Sequence, residues 1–331
     1  MGNTTPSRSF NTVKHSNRDK RIKRHRKERI VVLSMFLVII ALALSLAVFA
    51  ICSIADAIKS NRPDTPNNDT PTTPQPQSIV YEKIPFSNTA VKSGELLVVN
   101  NWNAYDFSVN QDVPLQVISK NRVMYDGVTN TYTVQNTGWK LHASALSALN
   151  DMMYKHYELF TDNSVVVSSA HRTADEQASS SSSTAVGYSD HHTGLCVALR
   201  EGSSELPSNH WIYENCHKYG FIQRYPSDKK ETTGVSVNYQ YCFRYVGVAH
   251  ATYIAQKGLC FEEYISLLQN SYSGGEHLQI TADDGKQYEV YYVAASQDDL
   301  TTVEVPKNYA YTVSGDNMRG FIVTVDLSSP K

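Results

Sequence analysis

The longest apolar stretch of the chain lies near its beginning. Residues 30–55 read IVVLSMFLVIIALALSLAVFAICSIA, which is 26 residues without a charge. A helix needs roughly 20 apolar residues to cross a bilayer, whereas the core of a cleaved signal peptide has about 7–15. The pattern therefore predicts a single transmembrane helix over residues 30–55.

Beyond residue 78, short apolar runs alternate with turn residues and with segments of helical periodicity. In residues 140–160 apolar side chains recur at steps of three and four, which predicts a helix with one buried face. The residues of that face are Leu146, Leu149, Met153 and Tyr157. A second helix is predicted from an Asn209 cap to Gly220, and two short helices follow up to about residue 270. Predicted strands cover residues 95–101, 115–119, 165–170, 192–199 and 241–247.

From residue 275 the pattern changes to alternation of apolar and polar residues. Asp284-Gly285 separates two alternating runs, which is a strong hairpin signal. The alternation predicts a small antiparallel β-module over residues 273–331. The predicted fold class is therefore α+β, with one N-terminal transmembrane helix, an ectodomain whose antiparallel sheet is flanked by helices, and this C-terminal module.

The chain before residue 79 differs sharply in composition from the rest. Residues 1–29 carry ten Lys or Arg against two acidic residues, a net of +8, so the remaining residues carry −10 because the whole chain carries −2. Basic residues beside a span stay in the cytoplasm, so residues 1–29 are predicted to be a cytoplasmic tail of a single-pass plasma-membrane protein with an extracellular body. Residues 56–78, rich in Pro, Thr and Asn, predict an extended linker. The acidic body argues against binding of nucleic acid.

Four cysteines follow the predicted span, scattered singly rather than in CxxC pairs. They are Cys196, Cys216, Cys242 and Cys260. Their spacing argues against a zinc knuckle and against a small disulfide scaffold. Two disulfides among them are compatible with the sequence, and the pairing stays open.

Four sequence blocks between residues 163 and 268 carry the clearest chemical signal. They are SAHR with Gln177 downstream, GYSDHHTGLCVAL, WIYENCHKYGFIQRYP and YQYCFRYVG. In order and content they resemble the VanY-like zinc D-alanyl-D-alanine carboxypeptidases of bacterial cell walls. Members typically read S-G-Y-R, S-E-H-x-T-G-L-A-x-D, W-x-x-E-N-A-H-x-Y-G-F-x-x-R-Y and E-P-W-H-F-R-Y-V-G. The resemblance implies a carboxypeptidase-type domain over residues 79–272.

The resemblance implies a catalytic zinc with three protein ligands and a carboxylate that takes a proton from the metal-bound water. His191 matches the first ligand, whereas Ala198 replaces the Asp ligand and has no donor atom. Cys242 replaces the second His ligand, and a thiolate can bind zinc. Tyr239 occupies the general-base position, and a phenol with a pKa near 10 is a poor base at neutral pH. Even with His192 as a further ligand the site would lack a proton acceptor, so no catalytic residue is assigned, and no cofactor is expected unless zinc still occupies the site.

The family residues that hold the substrate are better preserved. The resemblance assigns Arg172 and Gln177 to the terminal carboxylate and backbone of the peptide, and Ser189 matches the serine of S-E-H. A guanidinium suits bidentate contact with a carboxylate, although a salt bridge from Arg172 to a protein acid is an open alternative. Cys196 replaces an apolar alanine and is interpreted as a buried small hydrophobe, with a disulfide to Cys242 as the alternative.

Two zinc ligands and the base are changed together, while the substrate-holding residues are kept. This combination predicts a pseudoenzyme that binds peptidoglycan stem peptides or an envelope protein and is anchored in the cell membrane. Two alternatives stay open. One is an active zinc D-alanyl-D-alanine carboxypeptidase with an altered His/Cys site, and the other is an envelope scaffold without affinity for peptidoglycan.

Overall fold

The computed structural model describes residues 78–207, 210–235 and 239–331. The predicted cytoplasmic tail, the transmembrane helix and the linker up to residue 77 lie outside these residues. Within the described part of the chain, no helix is long and apolar enough to cross a bilayer. The described residues belong to one compact unit.

Short strands dominate the described residues, with helices inserted between them. The strands are β1 (Tyr81–Ser87), β2 (Leu115–Val117), β3 (Met124–Tyr125), β4 (Thr129–Asn130), β5 (Thr133–Val134), β6 (Lys140–His142), β7 (Val165–Ser169), β8 (Cys196–Glu201), β9 (Ser204–Glu205), β10 (Phe221–Gln223), β11 (Cys242–Tyr245), β12 (Leu278–Thr281), β13 (Gln287–Ala294), β14 (Leu300–Pro306), β15 (Tyr309–Gly315) and β16 (Gly320–Pro330). The α-helices are α1 (Ala143–Phe160), α2 (Ala174–Ala178), α3 (Trp211–Asn215), α4 (Lys230–Thr233), α5 (Val248–Lys257) and α6 (Phe261–Ser271). Short 3-10 helices cover Asn88–Lys92, Ile118–Lys120, Asp190–Thr193 and Cys216–Tyr219.

The central sheet has the strand order β10–β11–β8–β7–β5, with β9 beside β8. Its pairs are antiparallel except for β5 and β7, which are parallel. Helix α1 buries Leu146, Leu149 and Met153 in one apolar core with Val165 and Val167 of β7. The predicted helix and the predicted central strand are both confirmed, although Tyr157, the last residue of the predicted buried face, is only half-buried.

The C-terminal residues form a second antiparallel sheet, in the order β12–β13–β16–β15. The predicted hairpin joins β12 to β13, and Gly285 in its turn has a φ of +85°. Strand β14 pairs instead with β1, from the start of the described chain. The two predicted short helices form as α5 and α6, and Phe261 and Ile265 pack with Val290 of this sheet. The prediction of a mixed α+β fold with antiparallel sheets is confirmed.

The strand predicted at residues 95–101 does not form. Residues 96–100 of the segment are buried, but side chains rather than a neighbouring strand satisfy carbonyl groups of the segment. Arg244 Nη2 donates to the Glu95 carbonyl oxygen at 2.8 Å, and Arg224 Nη2 donates to that of Val99 at 3.3 Å. Buried backbone groups need a hydrogen-bond partner, and an apolar run does not specify which kind.

The strand predicted from residue 192 begins only at Cys196. The preceding residues Asp190–Thr193 form a 3-10 turn, and Gly194 ends it with a φ of +70°. A Cβ atom on Gly194 would lie 2.6 Å from Cδ2 of Leu115, so both the backbone conformation and the close packing require glycine. As a result, His191 lies in the turn before β8 rather than on the strand.

The helix predicted from Asn209 to Gly220 is divided into two parts. Helix α3 begins after His210, which is its N-cap, and Asn209 lies outside the described residues. The chain continues as a 3-10 helix, and Gly220 ends it in the left-handed conformation, as predicted. Helix α1 begins later than predicted, because β6 pairs with β2.

Candidate active site

A cavity of about 310 Å³ lies among β7, β8, β11 and the loop that follows α2. Arg172 and Arg200 bring positive charge to it, and serine and tyrosine side chains form much of its wall. Among the described residues that line it there is no Asp or Glu. The cavity therefore suits a negatively charged group and offers it no carboxylate base.

Three potential metal ligands lie together beside this cavity, and two of them, His191 and Cys242, line it. The donor atoms of His191, Cys196 and Cys242 all lie within 4.8 Å of one another, and the three residues are buried. The register of β8 and β11 pairs Cys242 with Ala198 and Cys196 with Arg244, so the two thiols are diagonal neighbours on one face of the sheet. The Nδ1 atom of His191 is buried and has no hydrogen-bond partner within the described residues.

All four described cysteines are free thiols in the structure. Diagonal cross-strand residues have Cα atoms about 7–8 Å apart, whereas a disulfide spans about 4.4–6.8 Å. A disulfide between Cys196 and Cys242 would therefore require a shift of the strands. Cys196 is completely buried, which confirms its interpretation as a core residue.

The two neighbouring thiols differ in acidity. The hydrogen bond from Cys196 and the nearby His191 hold the pKa of Cys242 below its ordinary value, in spite of the burial of this thiol. The same hydrogen bond, together with burial, raises the pKa of Cys196. Cys242 is therefore the thiol of the pair that more readily forms the thiolate, which is the form that binds metals.

The turn that carries His191 is held by a buried ion-pair network. The carboxylate of Asp190 accepts from Arg224 Nε at 2.6 Å and also from Arg244 Nη1. Arg224 further donates to both oxygens of Glu262, at 2.7 and 3.0 Å. Both arginine side chains are completely buried. Because unpaired buried charges are costly, this network fixes the turn relative to β10, β11 and α6.

Arg172 is held at the cavity by neutral groups. Its Nη2 donates to Ser169 Oγ at 2.7 Å, and its Nη1 donates to Gln177 Oε1 at 3.1 Å. Gln177 in turn donates to the Thr184 carbonyl oxygen at 2.8 Å. Arg172 forms no salt bridge within the described ranges, so its charge is available to a ligand at the cavity.

His192 does not belong to the group of potential ligands. Its Nε2 accepts from the Gly187 N–H at 3.1 Å, so its Nδ1 carries the proton and donates to the Arg172 carbonyl oxygen at 2.8 Å. Its ring also contacts the rings of Tyr105 and Phe107. His192 therefore positions the backbone of Arg172 and has no nitrogen left for a metal.

Comparison with known proteins places this chain in one family. The family model for VanY, D-alanyl-D-alanine carboxypeptidase, matches residues 140–248. A D-alanyl-D-alanine carboxypeptidase of Enterococcus faecium is 30% identical over 251 residues, which cover 71% of this chain and 76% of the relative. This chain belongs to the VanY family of D-alanyl-D-alanine carboxypeptidases.

Two further comparisons agree with VanY membership. A D-alanyl-D-alanine carboxypeptidase of Enterococcus faecalis (strain ATCC 700802 / V583) is 45% identical over 83 residues, or 24% of this chain and 31% of that protein. The crystal structure of the vancomycin resistance D,D-dipeptidase VanXYg, in complex with a D-Ala-D-Ala phosphinate analogue, aligns with a TM-score of 0.61. It is 24% identical and covers 75% of this chain and 99% of its own, which supports a common fold.

The positions at which this chain departs from the VanY pattern lie together. Ala198 and Cys242 are register partners, and the Cys242 N–H donates to the Tyr239 carbonyl oxygen at 2.9 Å. The Tyr239 ring packs near Tyr225 and Tyr241 at the cavity wall. The changed residues therefore form one patch of wall, where the VanY pattern has two zinc ligands and a base.

The other VanY-like site residues lie around the same cavity. Arg172, Ser189 and His191 line it, whereas Gln177 lies behind Arg172 as its hydrogen-bond partner. The residues predicted from the VanY resemblance therefore lie close together in the fold.

Three features of the cavity region were missed from the sequence. Cys196 was interpreted as a core residue or a disulfide partner of Cys242 and not as a metal ligand, although its two-residue spacing from Ala198 places both side chains on one face of β8. The same spacing places Arg200 at the cavity, where its guanidinium lies 4.8 Å from the Tyr241 ring centroid. Asp190 forms ion pairs with Arg224 of the RYP block and Arg244 of the FRYVG block. Both arginines are evident in the sequence, but only the fold shows that Asp190 is their common partner.

Proposed function

We propose that this VanY-family chain is a membrane-anchored pseudoenzyme that binds the C-terminal end of peptidoglycan stem peptides without hydrolysing them. The observation that carries the proposal is the charge of the cavity, which has Arg172 and Arg200 and no carboxylate among its described lining residues. A peptide that ends in a carboxylate has the complementary charge, and a guanidinium binds such a group through two parallel hydrogen bonds.

The arrangement of Arg172 supports this binding role. Its two hydrogen bonds to Ser169 and Gln177 fix the direction of the guanidinium before a ligand arrives. Because both partners are neutral, they orient the group without neutralising it. Preorganisation of this kind reduces the entropy that binding costs.

The absence of a proton acceptor argues against hydrolysis. Tyr239 stands at the family position of the general base, and the described cavity lining contains no Asp or Glu that could replace it. Loss of general-base catalysis alone typically lowers a rate by about 10²–10⁴. Ala198, which has no donor atom, removes one of the family's zinc ligands as well.

The cellular location rests on the sequence outside the described residues. Residues 30–55 have the length and polarity of one transmembrane helix, and the basic residues 1–29 favour a cytoplasmic N-terminus. The described domain would then lie on the outer side of the plasma membrane, where peptidoglycan is located.

An active zinc carboxypeptidase is the second candidate function. The observation in its favour is that His191, Cys196 and Cys242 bring three metal-binding atoms within 4.8 Å. Such a site would still need a proton acceptor for the attacking water. The two candidates therefore differ in whether a bound peptide is cut.

The test combines calorimetric titration of the purified full chain with a stem pentapeptide ending in D-Ala-D-Ala and an assay of D-alanine release. We expect saturable binding, no release with or without added zinc, and loss of binding when the terminal carboxylate is an amide. Arg172→Gln should weaken binding roughly tenfold or more, because a charged hydrogen bond contributes about 1.5–3 kcal/mol. Arg319→Gln is the matched control, since Arg319 donates to Gln269 away from the cavity.

Two results would contradict the proposal. Release of D-alanine that a chelator abolishes would establish the active enzyme. Failure to bind either the pentapeptide or purified sacculi, with envelope proteins still co-purifying, would instead indicate a scaffold or a receptor for a protein partner.

A further inference from the structure

The strand that lost the family's carboxylate ligand carries a thiol two residues earlier. Side chains at i and i+2 of a strand lie on the same face, so Cys196 and Ala198 both face the side of β8 where Cys242 lies. Cys196 therefore lies beside the position from which the VanY aspartate would reach a metal. In the described structure its Sγ is within 4.8 Å of the donor atoms of both His191 and Cys242.

The spacing of these atoms fits a tetrahedral zinc site. Zinc lies about 2.3 Å from thiolate sulfur and about 2.0–2.1 Å from imidazole nitrogen, which places tetrahedral ligand atoms roughly 3.5–3.8 Å apart. A group already within 4.8 Å needs only small side-chain rotations to reach that spacing. The same two thiols are diagonal neighbours across the strands, an arrangement that disfavours a disulfide but does not hinder a shared metal.

A second, independent observation comes from the imidazole. His191 Nδ1 is buried without a hydrogen-bond partner in the described structure, and buried polar atoms without partners are uncommon and costly. A metal ion bound through Nδ1 would give this atom the partner that the described residues do not supply. Two sulfurs and one nitrogen are also a donor set that favours zinc over magnesium or calcium.

We infer that His191, Cys196 and Cys242 form a Cys₂His zinc site, in which Cys196 substitutes for the aspartate ligand that Ala198 has replaced. Two thiolates neutralise the charge of Zn²⁺, whereas one aspartate and two neutral histidines leave a net positive charge. The altered ligands would therefore give the metal weaker electrophilic character, in keeping with a site that binds rather than cuts. The inference does not depend on peptide binding, because the metal is measured without peptide.

The test is metal analysis of the purified full chain under reducing conditions. We expect about one Zn²⁺ per chain by elemental analysis. Substitution with Co²⁺ should produce near-ultraviolet sulfur-to-cobalt charge-transfer absorption with the intensity of two thiolates. Cys196→Ser should lower that absorption by about half and weaken zinc binding, because one of the two sulfur ligands is removed. Cys216→Ser and Cys260→Ser are the matched controls, since both are buried free cysteines outside the cluster, and should leave metal content and spectrum unchanged.

A cobalt spectrum without a charge-transfer band, or one with the intensity of a single thiolate, would overturn the inference. So would a folded Cys196→Ser variant with the parent's spectrum. The parent spectrum counts the thiolates by itself, so the test does not depend on whether a variant folds. Peptide binding without metal would contradict this inference alone, and metal without peptide binding would contradict the proposed function alone.

Discussion

Cys242 on β11 lies directly opposite Ala198 on β8 in the register of the central sheet. The VanY pattern has histidine and aspartate at these two positions. Both metal-binding side chains of a single cross-strand pair have therefore been replaced. The pair now presents one thiol and one methyl group, and Cys196 adds a second thiol on the same face. The changes seen far apart in the sequence are therefore one local change in the wall of the cavity.

Restoring the family carboxylate should make the stability of the chain respond to zinc. Ala198 is only 2% exposed, so Ala198→Asp should destabilise the metal-free chain by about 1–3 kcal/mol or raise the pKa of the new carboxyl group. Added Zn²⁺ should recover this loss, because the carboxylate gains a ligand role beside His191 and Cys242. Thermal unfolding with zinc and with a chelator measures both effects.

The control for this substitution is Ala294→Asp at the exposed end of β13. It should change the unfolding free energy by less than about 0.5 kcal/mol and should not alter the response to zinc. An Ala198→Asp variant that zinc stabilises no more than it stabilises the parent would contradict the prediction.

Asp190→Asn should strongly destabilise the fold. It would leave Arg244 without an acidic partner in the described structure, and Arg224 with Glu262 alone. Removing one member of a buried ion-pair network typically costs about 3–5 kcal/mol, because the remaining charges stay buried. Denaturant titration measures the loss, with Asp228→Asn at an exposed position as the control. Equal transition midpoints for the two variants would show that the network contributes little.

His250 should make the domain less stable in mild acid. It lies between the Tyr264 hydroxyl, 2.7 Å from Nδ1, and Thr324 Oγ1, 2.8 Å from Nε2. Burial lowers the pKa of His250 to about 3, against about 6.5 in the unfolded chain. Between pH 3 and pH 6.5 the unfolded chain binds more protons than the folded chain. The contribution of His250 to the unfolding free energy is therefore complete above pH 6.5 and is lost as the pH falls toward 3.

The effect should be measurable as a difference between the parent and His250→Gln, which keeps a polar side chain but does not titrate. The parent should lose on the order of 2 kcal/mol more than the variant between neutral pH and about pH 5. Denaturant titrations at several pH values measure this difference. Other titrating groups, including His171, whose pKa burial lowers to about 4, occur in both proteins and cancel. Parallel pH profiles would mean that His250 does not remain neutral and buried.

Arg200 should contribute to the binding of anionic peptides together with Arg172. Its guanidinium lies over the Tyr241 ring, and its Nε is buried without a hydrogen-bond partner in the described part of the chain. Arg200→Met keeps the apolar length of the side chain and removes the charge, so the peptide dissociation constant should rise by about tenfold and depend less on salt. Arg319→Met, at an arginine that donates to Gln269 away from the cavity, should bind like the parent. Unchanged affinity and salt dependence in Arg200→Met would exclude Arg200 from the site.

Local features of the fold were predictable because their causes are local. The periodicity of residues 140–160 predicts most of the buried face of α1, and Asp284-Gly285 predicts the hairpin between β12 and β13. The segment at residues 95–101 shows the limit of such reasoning. Its apolar residues predict burial correctly, but the Glu95 carbonyl is satisfied by Arg244, which is 149 residues away in the chain.

By itself the sequence determined which chemical groups the site lacks. Ala198 has no donor atom and Tyr239 is no carboxylate wherever the fold places them, and the ordered blocks around them identify the VanY family. Only the tertiary structure decided which groups meet. The register between β8 and β11 brings Cys196 toward His191 and Cys242, and it places Arg244 against Asp190. The sequence gives the identity of each residue directly, whereas strand register depends on packing along the whole sheet. The position of Cys196 beside His191 and Cys242 could therefore be established only from the fold.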